Sequence, residues 1–503
     1  MAFQGRFRWV GKGEGDTVLT PVPLKLPDSF KTPVIFVDLE RTLIDADLMY
    51  EAIVDAIRND ARNLYRIPLW AVAGPLRLKN EMRHVAKPSR FLPFRDELLT
   101  FLRSEHECGV RIVLATASHK DWAEAIASRL DMIDGVLATD ERTNLKGAAK
   151  LAEIQRFCHD HDYDSWGYIG DDDSDLSIWK TATVAYGNDR SSRGIRTFEQ
   201  IEPSARVFGV SVSNWRGRVE SLRPYQWIKN LLLFVPLIVS HRVLSLPLLI
   251  LTTLAVIAFS ATASFIYLLN DLLDMNADRQ HPIKRNRPLA SGRLAISQAA
   301  GIMVVLAITS IGFASVLPWE FQFVLLFYAT ASVSYAFWLK TKPIIDVILL
   351  ASLYTLRVIA GGAASGIFPS PWLLAFSLFL FTSLAFAKRY AELHRLKSEA
   401  GDKVPGRGYR VNDLGLLETF GAVSGYLSVL VIALYIQSPA VNALYQRPAL
   451  LWLLCPLILY WVSRLWLLAR RGLLLEDPIV FVTRDHVSLA IFLVSVTVLV
   501  AAN

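Results

Sequence analysis

Three aspartates are spaced so that a helix would bring their carboxylates close together. Asp271, Asp274 and Asp278 follow an apolar run, and Asn270, Asp274 and Asp278 are four residues apart. Side chains at this spacing share one face of an α-helix. Carboxylates on one face repel one another, and Mg²⁺ relieves that repulsion by binding a few carboxylates together with substrate phosphate oxygens. The spacing therefore predicts a Mg²⁺ site.

Basic residues follow these aspartates within a few positions. Lys284, Arg285 and Arg287 suit phosphate groups, which arginine can bind through two parallel hydrogen bonds. A helix end anchored at lipid headgroups would explain the cations but not three spaced aspartates, because ionisable groups at a membrane edge are costly and usually functional. We therefore expect Lys284 and Arg287 to bind the phosphates of a substrate.

A second polar cluster follows about 50 residues later in the chain. Tyr335, Lys340, Lys342 and Asp346 surround a predicted loop, and Arg357 lies three helical turns beyond Asp346 on nearly the same face. Two interpretations stay open: a second substrate-binding cluster, or an interfacial lysine pair with one buried ion pair.

Lys388 and Arg389 begin a further polar stretch. A loop of about 25 residues is long for a compact bundle and is typical of a lid. Membrane anchoring and a lid over a substrate cavity are both compatible with this pattern.

Four polar clusters in the first half of the chain lie at or after buried apolar runs. They contain Asp38 and Glu40; Thr116; Lys146; and Asp171, Asp172 and Asp175. The runs alternate with helical stretches such as 121–131 and 147–160, which indicates a parallel α/β sheet. Ligands bind beyond the carboxyl ends of such strands, where we expect all four clusters.

Charge and hydropathy divide the 503-residue chain near Val219–Pro224. Hydrophobic residues make up 53% and charged residues 20%, which is less charge than a soluble protein carries. We predict an N-terminal extension (1–32), an α/β domain (33–210), a linker (211–226) and an all-α membrane bundle (227–503). The net charge of +7 fits the cytoplasmic excess of Lys and Arg in a membrane protein. We therefore expect membrane lipids as partners and no nucleic acid, and a homo-oligomer is compatible with the sequence.

Nine apolar stretches approach the roughly 20 residues that a transmembrane helix needs. They are 227–244, 247–269, 296–317, 321–339, 344–366, 370–387, 414–437, 448–469 and 485–502. Nearly all loop Lys and Arg fall on one side, and Arg242 and Arg447 are the exceptions. The positive-inside rule then predicts an inner-membrane protein whose front domain and polar clusters face the cytoplasm, with the C-terminus outside.

The aspartate-rich stretch carries a family resemblance. Asn-Asp-x-x-Asp-x-x-x-Asp from Asn270, then His-Pro-x-Lys-x-x-Arg-Pro-x-Ala-Ser-Gly from His281, resembles the first motif of the UbiA superfamily of membrane prenyltransferases. Residues 223–230 and 387–393 resemble decaprenyl-phosphate phosphoribosyltransferases within it. The resemblance, over residues 220–502, implies nine helices around a cytoplasm-facing cavity. It also implies transfer of 5-phosphoribose from phosphoribosyl diphosphate to a polyprenyl phosphate.

The resemblance also implies roles for single residues. Asp271, Asp274 and Asp278 would hold Mg²⁺, with Asp271 and Asp274 central to catalysis, and Arg223 and Lys229 would lie near the lipid phosphate. Superfamily members with aromatic acceptors usually have a second Asp-x-x-x-Asp pair at the second polar cluster. This chain has Asp346 there, without a partner carboxylate four residues later. The acidic loop by which soluble phosphoribosyltransferases bind their donor is absent as well. A prenyl diphosphate donor with an aromatic acceptor is the alternative enzyme, and a non-catalytic lipid-binding protein is the alternative of another class.

The polar clusters of the first half, over residues 33–190, resemble those of Mg²⁺-dependent phosphatases of the haloacid dehalogenase (HAD) superfamily. By this resemblance Asp38 is the nucleophile, Thr116 and Lys146 hold phosphate oxygens, and Asp171 binds Mg²⁺ together with Asp172 or Asp175. A carboxylate can attack a phosphate only when a metal and a lysine neutralise the repulsion. Residues 46–108 would form a helical cap.

This α/β part departs from the HAD pattern Asp-x-Asp-Gly-Thr. Glu40 and Arg41 stand where that pattern has Asp and Gly. Glu40 can still carry a proton as the catalytic acid and base, but its chain is one methylene longer, and a displaced proton donor can cost orders of magnitude in rate. An active phosphatase and an inactive, regulatory domain are both open.

Overall fold

The computed structural model describes residues 32–60, 62–187, 206–207, 215–281, 283–398, 407–474 and 477–503. The predicted N-terminal extension lies outside these residues except for Thr32. The domain boundaries drawn from composition stay a prediction.

The described residues form two compact units. The first contains residues 32–49, Leu64–Pro88, and residues 94–187 with 206–207. The second contains Tyr50–Asn63, Ser89–Pro93 and the described chain from residue 215 onward.

A parallel sheet of six strands forms the centre of the first unit and confirms the predicted α/β fold class. Its spatial order is β3-β2-β1-β4-β5-β6. The strands are β1 Val34–Val37, β2 Arg111–His119, β3 Gly135–Thr139, β4 Gly167–Gly170, β5 Val184–Gly187 and β6 Arg206–Val207. All four residues of β1 are fully buried apolar side chains, as is typical of parallel strands covered on both faces.

Strand β1 lies at the middle of the sheet. Val37 pairs with Leu114 of β2 on one side and with Ile169 of β4 on the other. The residues that follow these partners, Asp38 and Asp171 among them, therefore meet at one edge of the sheet. The strand order reverses at this position, which is where open parallel sheets bind ligands.

Helices connect and flank these strands. The segment predicted as a cap contains four of them: Leu48–Asn59, Asn63–Val72, Pro75–Val85 and Asp96–Glu107. The later crossovers contain Lys120–Ala127, Ala148–Asp160 and Leu176–Trp179.

The rest of the second unit is helical, as predicted. Its α-helices are Trp215–Leu222, Val235–Val239, Leu246–Leu273, Met275–Gln280, Ile296–Ser315, Trp319–Phe337, Ile345–Ser365, Pro371–Ser398, Leu414–Ile436, Pro439–Leu444, Leu454–Arg470, Pro478–Val482 and His486–Ala502. Between the first two, Pro224–Phe234 forms a 3-10 helix.

Six helical segments of the described chain are long and apolar enough to cross a membrane. They are Leu246–Leu273, Ile296–Ser315, Ile345–Ser365, Pro371–Lys397, Val411–Ile436 and Pro448–Arg470. The predicted count of nine is not confirmed. At the other three predicted spans the chain forms the 3-10 helix with a short α-helix, the aromatic-rich helix Trp319–Phe337, and the 17-residue helix His486–Ala502.

A glycine allows the 3-10 helix to pack closely in this bundle. A Cβ added at Gly361 would lie 1.9 Å from the carbonyl oxygen of Leu233. Leu233 is fully buried in a cluster with Phe259, Phe321 and Leu353. The close approach brings the 3-10 helix against helix Ile345–Ser365, where Asn230 contacts Arg357.

Candidate active sites

Three buried carboxylates converge at the edge of the sheet in the first unit. One oxygen each of Asp38, Asp171 and Asp175 lies within 4.8 Å of the others, a separation at which one metal ion can bind all three. Gly170 permits this approach, since a Cβ there would lie 2.5 Å from Asp175 Oδ2. These oxygen ligands suit Mg²⁺. Of the two predicted partners of Asp171, the geometry favours Asp175.

Lys150 lies against this carboxylate group. Its Nζ is 3.3 Å from Asp38 Oδ1 and 3.3 Å from Asp175 Oδ1, and the residue is 2% exposed. The lysine predicted for this place, Lys146, is largely exposed and lies 3.5 Å from Asp172. The structure therefore places Lys146 and Asp172 together at the rim, away from the predicted nucleophile.

Burial and mutual repulsion shape the protonation of the carboxylates. Burial raises the pKa of Asp38 to about 6, although Lys150 lowers it. Burial, together with Asp38 and Asp175, raises the pKa of Asp171 well above its usual range. Burial disfavours the charged form of Lys150, but its two carboxylate partners raise the lysine pKa overall. The site thus holds more negative charge than one lysine neutralises, as a cation-binding site requires.

Glu40 lies beside this group and can hold a proton near neutral pH. Its Oε1 accepts a hydrogen bond of 2.7 Å from the Leu48 backbone N–H. Burial, with the negative charges of Asp47 and Asp38, raises the pKa of Glu40 to about 7. A carboxyl group poised at this pKa fits a general acid and base.

Two threonine hydroxyl groups and a residue with a left-handed backbone conformation also lie at this edge of the sheet. Thr116 is fully buried, and its Oγ1 accepts a hydrogen bond from the Ser118 backbone N–H. Thr42 Oγ1 donates to Asp171 Oδ1 over 3.1 Å. Arg41 has a φ of 59°, in the left-handed region that favours glycine.

Helix Pro75–Val85 contributes another cation to the same unit. Lys79 Nζ donates to the carbonyl oxygen of Ala117 over 2.5 Å and to Asn144 Oδ1 over 2.7 Å. Burial lowers the pKa of Lys79, and Glu40 is the strongest nearby charge that opposes this effect.

The aspartate-rich stretch of the second unit is not one continuous helix. Helix Leu246–Leu273 ends before Asp274, and Met275–Gln280 forms a second, short helix. Asn270 and Asp271 lie in the last turn of the first, and Asp278 lies in the second. Within the described residues, no three acidic ligands of this stretch approach one another as the triad of the first unit does.

Each aspartate of this stretch is paired with a cation instead. Asp271 Oδ1 accepts from Arg223 Nη2 at 2.5 Å and from Arg287 Nη1 at 3.0 Å. The same Arg287 nitrogen donates to Asp278 Oδ2 at 2.6 Å. Lys340 Nζ donates to both oxygens of Asp274. Since one guanidinium nitrogen contacts both Asp271 and Asp278, these carboxylates fit a shared cation.

The predicted second cluster separates into distinct groups. Asp346, which is fully buried, accepts from Arg389 Nε and from the Tyr409 hydroxyl, each at 2.6 Å. Arg389 Nη2 also donates to the Tyr335 hydroxyl at 2.7 Å. Tyr335, Asp346 and Arg389 are therefore brought together, whereas Lys340 joins the aspartate-rich stretch.

Arg357 lies on the same helix as Asp346, three turns further along, and the two side chains have different partners. Its Nε donates to Asn230 Oδ1 at 3.1 Å and its Nη2 to the Tyr328 hydroxyl at 3.0 Å. The guanidinium also lies over the rings of Phe259, Tyr328 and Tyr354. The partners of this buried arginine are therefore neutral groups and ring faces.

Lys229 and Lys388 converge on one carboxylate oxygen. Each Nζ donates to Asp477 Oδ2 at 2.9 Å. Although burial raises the pKa of Asp477, Lys388 and Lys229 lower it overall, so the carboxylate is charged. The remaining predicted lysines, Lys284 and Lys342, are exposed.

Comparisons with known proteins match both parts of the chain. The UbiA prenyltransferase family model matches residues 231–481, and the haloacid dehalogenase-like hydrolase model matches residues 35–180. Protein y4nM of Sinorhizobium fredii, described as uncharacterized, is 33% identical over 465 residues, which cover 91% of this chain and 88% of that protein. The chain belongs to the UbiA prenyltransferase family. Its front part is a HAD-like domain.

Other relatives of this UbiA-family chain match a smaller share of it. Nodulation protein NoeC of Azorhizobium caulinodans is 35% identical over 282 residues, covering 54% of this chain and 89% of that protein. Decaprenyl-phosphate phosphoribosyltransferase of Mycobacterium tuberculosis is 38% identical over 182 residues, covering 35% of this chain and 60% of that protein. The match thus spans less than two thirds of that enzyme. Family and apolar helices together make this chain an integral membrane protein.

Sequence reasoning missed several residues of this UbiA-family chain. They are Lys79, Lys150, Tyr409 and Asp477. Lys150 lies one helical turn beyond Lys146, so a lysine repeated at this spacing was the signal. Asp477 is an acidic residue between two apolar stretches, and a buried charge at such a place is usually functional.

Proposed function

We propose that this UbiA-family enzyme transfers 5-phosphoribose from phosphoribosyl diphosphate to a polyprenyl phosphate in a Mg²⁺-dependent reaction. The observation that carries the proposal is the pairing of Arg223, Arg287 and Lys340 with the three aspartates of residues 271–278. The cations of this group can bind the phosphate groups of a substrate, and its carboxylates can bind the accompanying metal ion. The M. tuberculosis relative supports the choice of donor and acceptor.

The donor diphosphate would lie at the aspartate-rich stretch. Arg287 can turn from Asp271 and Asp278 to phosphate oxygens, which a guanidinium binds in a bidentate manner. Lys340 and the exposed Lys284 would add positive charge as the diphosphate departs. Mg²⁺ bound by Asp271, Asp274 and Asp278 would neutralise the negative charge on the leaving diphosphate.

The lipid phosphate would act as the nucleophile. One of its oxygens forms a bond to the anomeric carbon of the ribose, and the bond from that carbon to the diphosphate oxygen breaks. The nucleophile is already an anion, so no base has to remove a proton. Lys229 and Arg223 position the phosphate, and positioning with charge neutralisation supplies most of the rate.

The geometry around Asp346 supports this proposal over a prenyl diphosphate donor with an aromatic acceptor. Its two oxygens are taken by Arg389 and Tyr409. Arg389 also donates to Glu392, so an arginine balances the charge of Asp346. This arrangement favours a structural ion pair at Asp346 over a second diphosphate-metal site.

The HAD-like domain would remove the 5-phosphate of the lipid-linked product. Asp38 attacks phosphorus, the ester bond to the ribose oxygen breaks, and Glu40 gives that oxygen a proton. Lys150 and Thr116 offset the repulsion between the carboxylate and the phosphate. Water then releases phosphate from Asp38, and Glu40 accepts its proton.

A single incubation tests the proposal. Detergent-purified full-length chain is mixed with Mg²⁺, labelled phosphoribosyl diphosphate and decaprenyl phosphate, and the lipid product is identified by mass. We expect a ribose-phosphate adduct. An adduct that loses its phosphate with Asp38 intact but keeps it in Asp38→Asn supports the phosphatase. Absence of any adduct across several lipid chain lengths, with folded protein, would overturn the transferase proposal in favour of a prenyl diphosphate donor.

A further inference from the structure

Lys229, Lys388 and Asp477 form a cluster that contains, among the described residues, two positive charges and one negative charge. Lys229 and Asp477 are mostly buried, with side chains 5% and 10% exposed, and the Lys388 side chain is 31% exposed. The three residues come from the 3-10 helix Pro224–Phe234, from helix Pro371–Ser398 and from the position before helix Pro478–Val482. Three separate elements thus meet at one carboxylate oxygen.

One carboxylate does not neutralise two ammonium groups. Charged groups in a low-dielectric interior are stable only when they are paired. Asp477 Oδ2 is shared by both lysines, so one positive charge stays in excess. A buried excess of positive charge favours the binding of a further anion.

Apolar side chains and the ring of Tyr354 line a cavity beside the cluster. Asp477 and Lys388 line a small cavity together with Leu350, Tyr354, Leu384 and Pro478. The Lys229 ammonium also lies 5.4 Å from the centre of the Tyr354 ring. An anion that carries a hydrocarbon chain fits this combination better than a ligand that is polar throughout.

We propose that Lys229 and Lys388 together form the subsite for the phosphate monoester of the lipid acceptor, and that the Asp477 carboxylate occupies the place of that phosphate until the lipid binds. This inference rests on the proposed function, because it specifies where the acceptor of that reaction lies. It differs from the earlier assignment of Lys229 with Arg223, because it pairs Lys229 with Lys388 and gives Asp477 a role.

Charge balance explains why the carboxylate leaves. A phosphate monoester that carries two negative charges neutralises both ammonium groups by itself. If Asp477 remained, three negative charges would face two positive ones in a buried place, and like charges at this distance repel. The lipid phosphate and the carboxylate therefore compete for the same two lysines.

The donor does not fit this subsite. Phosphoribosyl diphosphate requires a metal ion, and the acidic residues proposed to bind it are the three aspartates of residues 271–278, which pair with Arg223, Arg287 and Lys340. Among the described residues, both ammonium groups of the lysine pair contact one carboxylate, that of Asp477. The diphosphate of the donor and the monophosphate of the lipid acceptor would therefore bind to different groups of residues.

Equilibrium binding of labelled decaprenyl phosphate to the detergent-purified full-length chain, with no donor present, tests the subsite. Lys229→Met and Lys388→Gln should each weaken binding roughly tenfold or more, because a desolvated charge partner is lost. Asp477→Asn should tighten binding several-fold, because the internal competitor loses its charge. Asp485→Asn is the control, since this acidic residue near the cluster in sequence pairs with Arg464 and contacts neither lysine. Its affinity should equal that of the original chain.

Two results would overturn the inference. If Asp477→Asn weakens binding as the lysine substitutions do, the carboxylate holds the lysines in place and is not a competitor. If Lys388→Gln, whose side chain is partly exposed and therefore tolerant of replacement, binds with unchanged affinity, the phosphate lies elsewhere. Decaprenol, which has no phosphate, should compete equally in all variants. Failure of phosphoribosyl transfer with lysine-dependent binding intact would count against the proposed function alone.

Discussion

The Lys150 ammonium group lies 3.3 Å from Asp38 Oδ1, at the carboxyl end of the central strand of the sheet. The same nitrogen is 3.3 Å from Asp175, so one lysine contacts two members of the candidate metal triad. Lys146, one helical turn earlier, contacts the rim residue Asp172 instead. The electrostatic partner of an attacking Asp38 is therefore Lys150.

Replacement of Lys150 by Met should lower phosphate release from the phosphoribosyl lipid by roughly a hundredfold or more, because developing negative charge loses its buried counterion. Loss of this counterion also leaves Asp38 and Asp175 unpaired, which costs about 3–5 kcal/mol of stability. Steady-state phosphate release and the unfolding midpoint measure the two effects separately.

Lys146→Met is the matched control for this substitution, and we expect it to keep more than half of the activity. Lys150→Arg retains the charge and should fold with partial activity. If Lys146→Met is the more damaging change in a folded protein, the assignment of Lys150 is wrong.

The left-handed backbone at Arg41 leads to a stability prediction. A non-glycine residue pays a conformational penalty there, whereas its ion pair with Asp47 is long, at 3.9 Å, and exposed. Arg41→Gly should raise the free energy of unfolding by about 0.5–1 kcal/mol after the larger unfolded-state entropy of glycine is included. Thermal unfolding of the full chain measures the change. Arg41→Ala keeps the strain and should give no gain, so equal destabilisation by both substitutions would contradict this account.

The sequence predicted the sheet and its functional edge because local patterns determine them. Buried runs such as Val34–Val37 form strands, and parallel order follows from the helices between them. Because adjacent parallel strands end at the same edge of a sheet, this order also places Asp38 and Asp171 close together. Lys146 precedes helix Ala148–Asp160, whereas Lys150 is a buried residue in its first turn. Which lysine reaches Asp38 depends on how this helix packs on the sheet, and the sequence alone did not decide that.

The polar residues of the membrane bundle were harder to predict, since tertiary contacts decide their partners. Asp346 and Arg357 share a helix at a favourable spacing, but Arg389 and Asn230 from other elements bind them. The expected continuous helix ends before Asp274, which Lys340 contacts. The Mg²⁺ site predicted from the spacing of the aspartates stays a prediction, and the spacing could not indicate their counterions.

Asp271→Asn should lower phosphoribosyl transfer by roughly a hundredfold or more, since an amide loses the charge that binds a cation. The variant should also need more Mg²⁺ for half-maximal rate, because Asp271 is one of the proposed Mg²⁺ ligands. Asp271 also accepts hydrogen bonds from Arg223 and Arg287, which the variant would weaken. Turnover measured against Mg²⁺ concentration checks both expectations. Glu418→Gln, which disturbs an exposed pair with Arg470, should leave the Mg²⁺ dependence unchanged. Normal turnover of Asp271→Asn would refute the role of this aspartate.

Asp485 should stabilise the last helix of the chain through two separable interactions. Its Oδ2 accepts from the Ser488 backbone N–H at 2.8 Å, which caps helix His486–Ala502, and its two oxygens accept from both terminal nitrogens of Arg464. Asparagine preserves the cap and removes the charge, whereas alanine removes both. We expect Asp485→Asn to lower the free energy of unfolding by about 1 kcal/mol and Asp485→Ala by about 2 kcal/mol.

The pH dependence of these two variants separates the charge from the cap. Burial opposes ionisation of Asp485, but donation from Arg464 and Ser488 lowers its pKa to about 2. Because the folded pKa lies below the unfolded value, the stabilisation is complete above about pH 4 and is lost as the pH falls through about 2. The deficit of Asp485→Asn should therefore be constant from pH 5 to pH 8 in thermal unfolding of the detergent-purified chain. It should also shrink in 1 M salt, which screens the partly exposed ion pair. A deficit of the same size for asparagine and alanine would mean that the helix cap contributes nothing here.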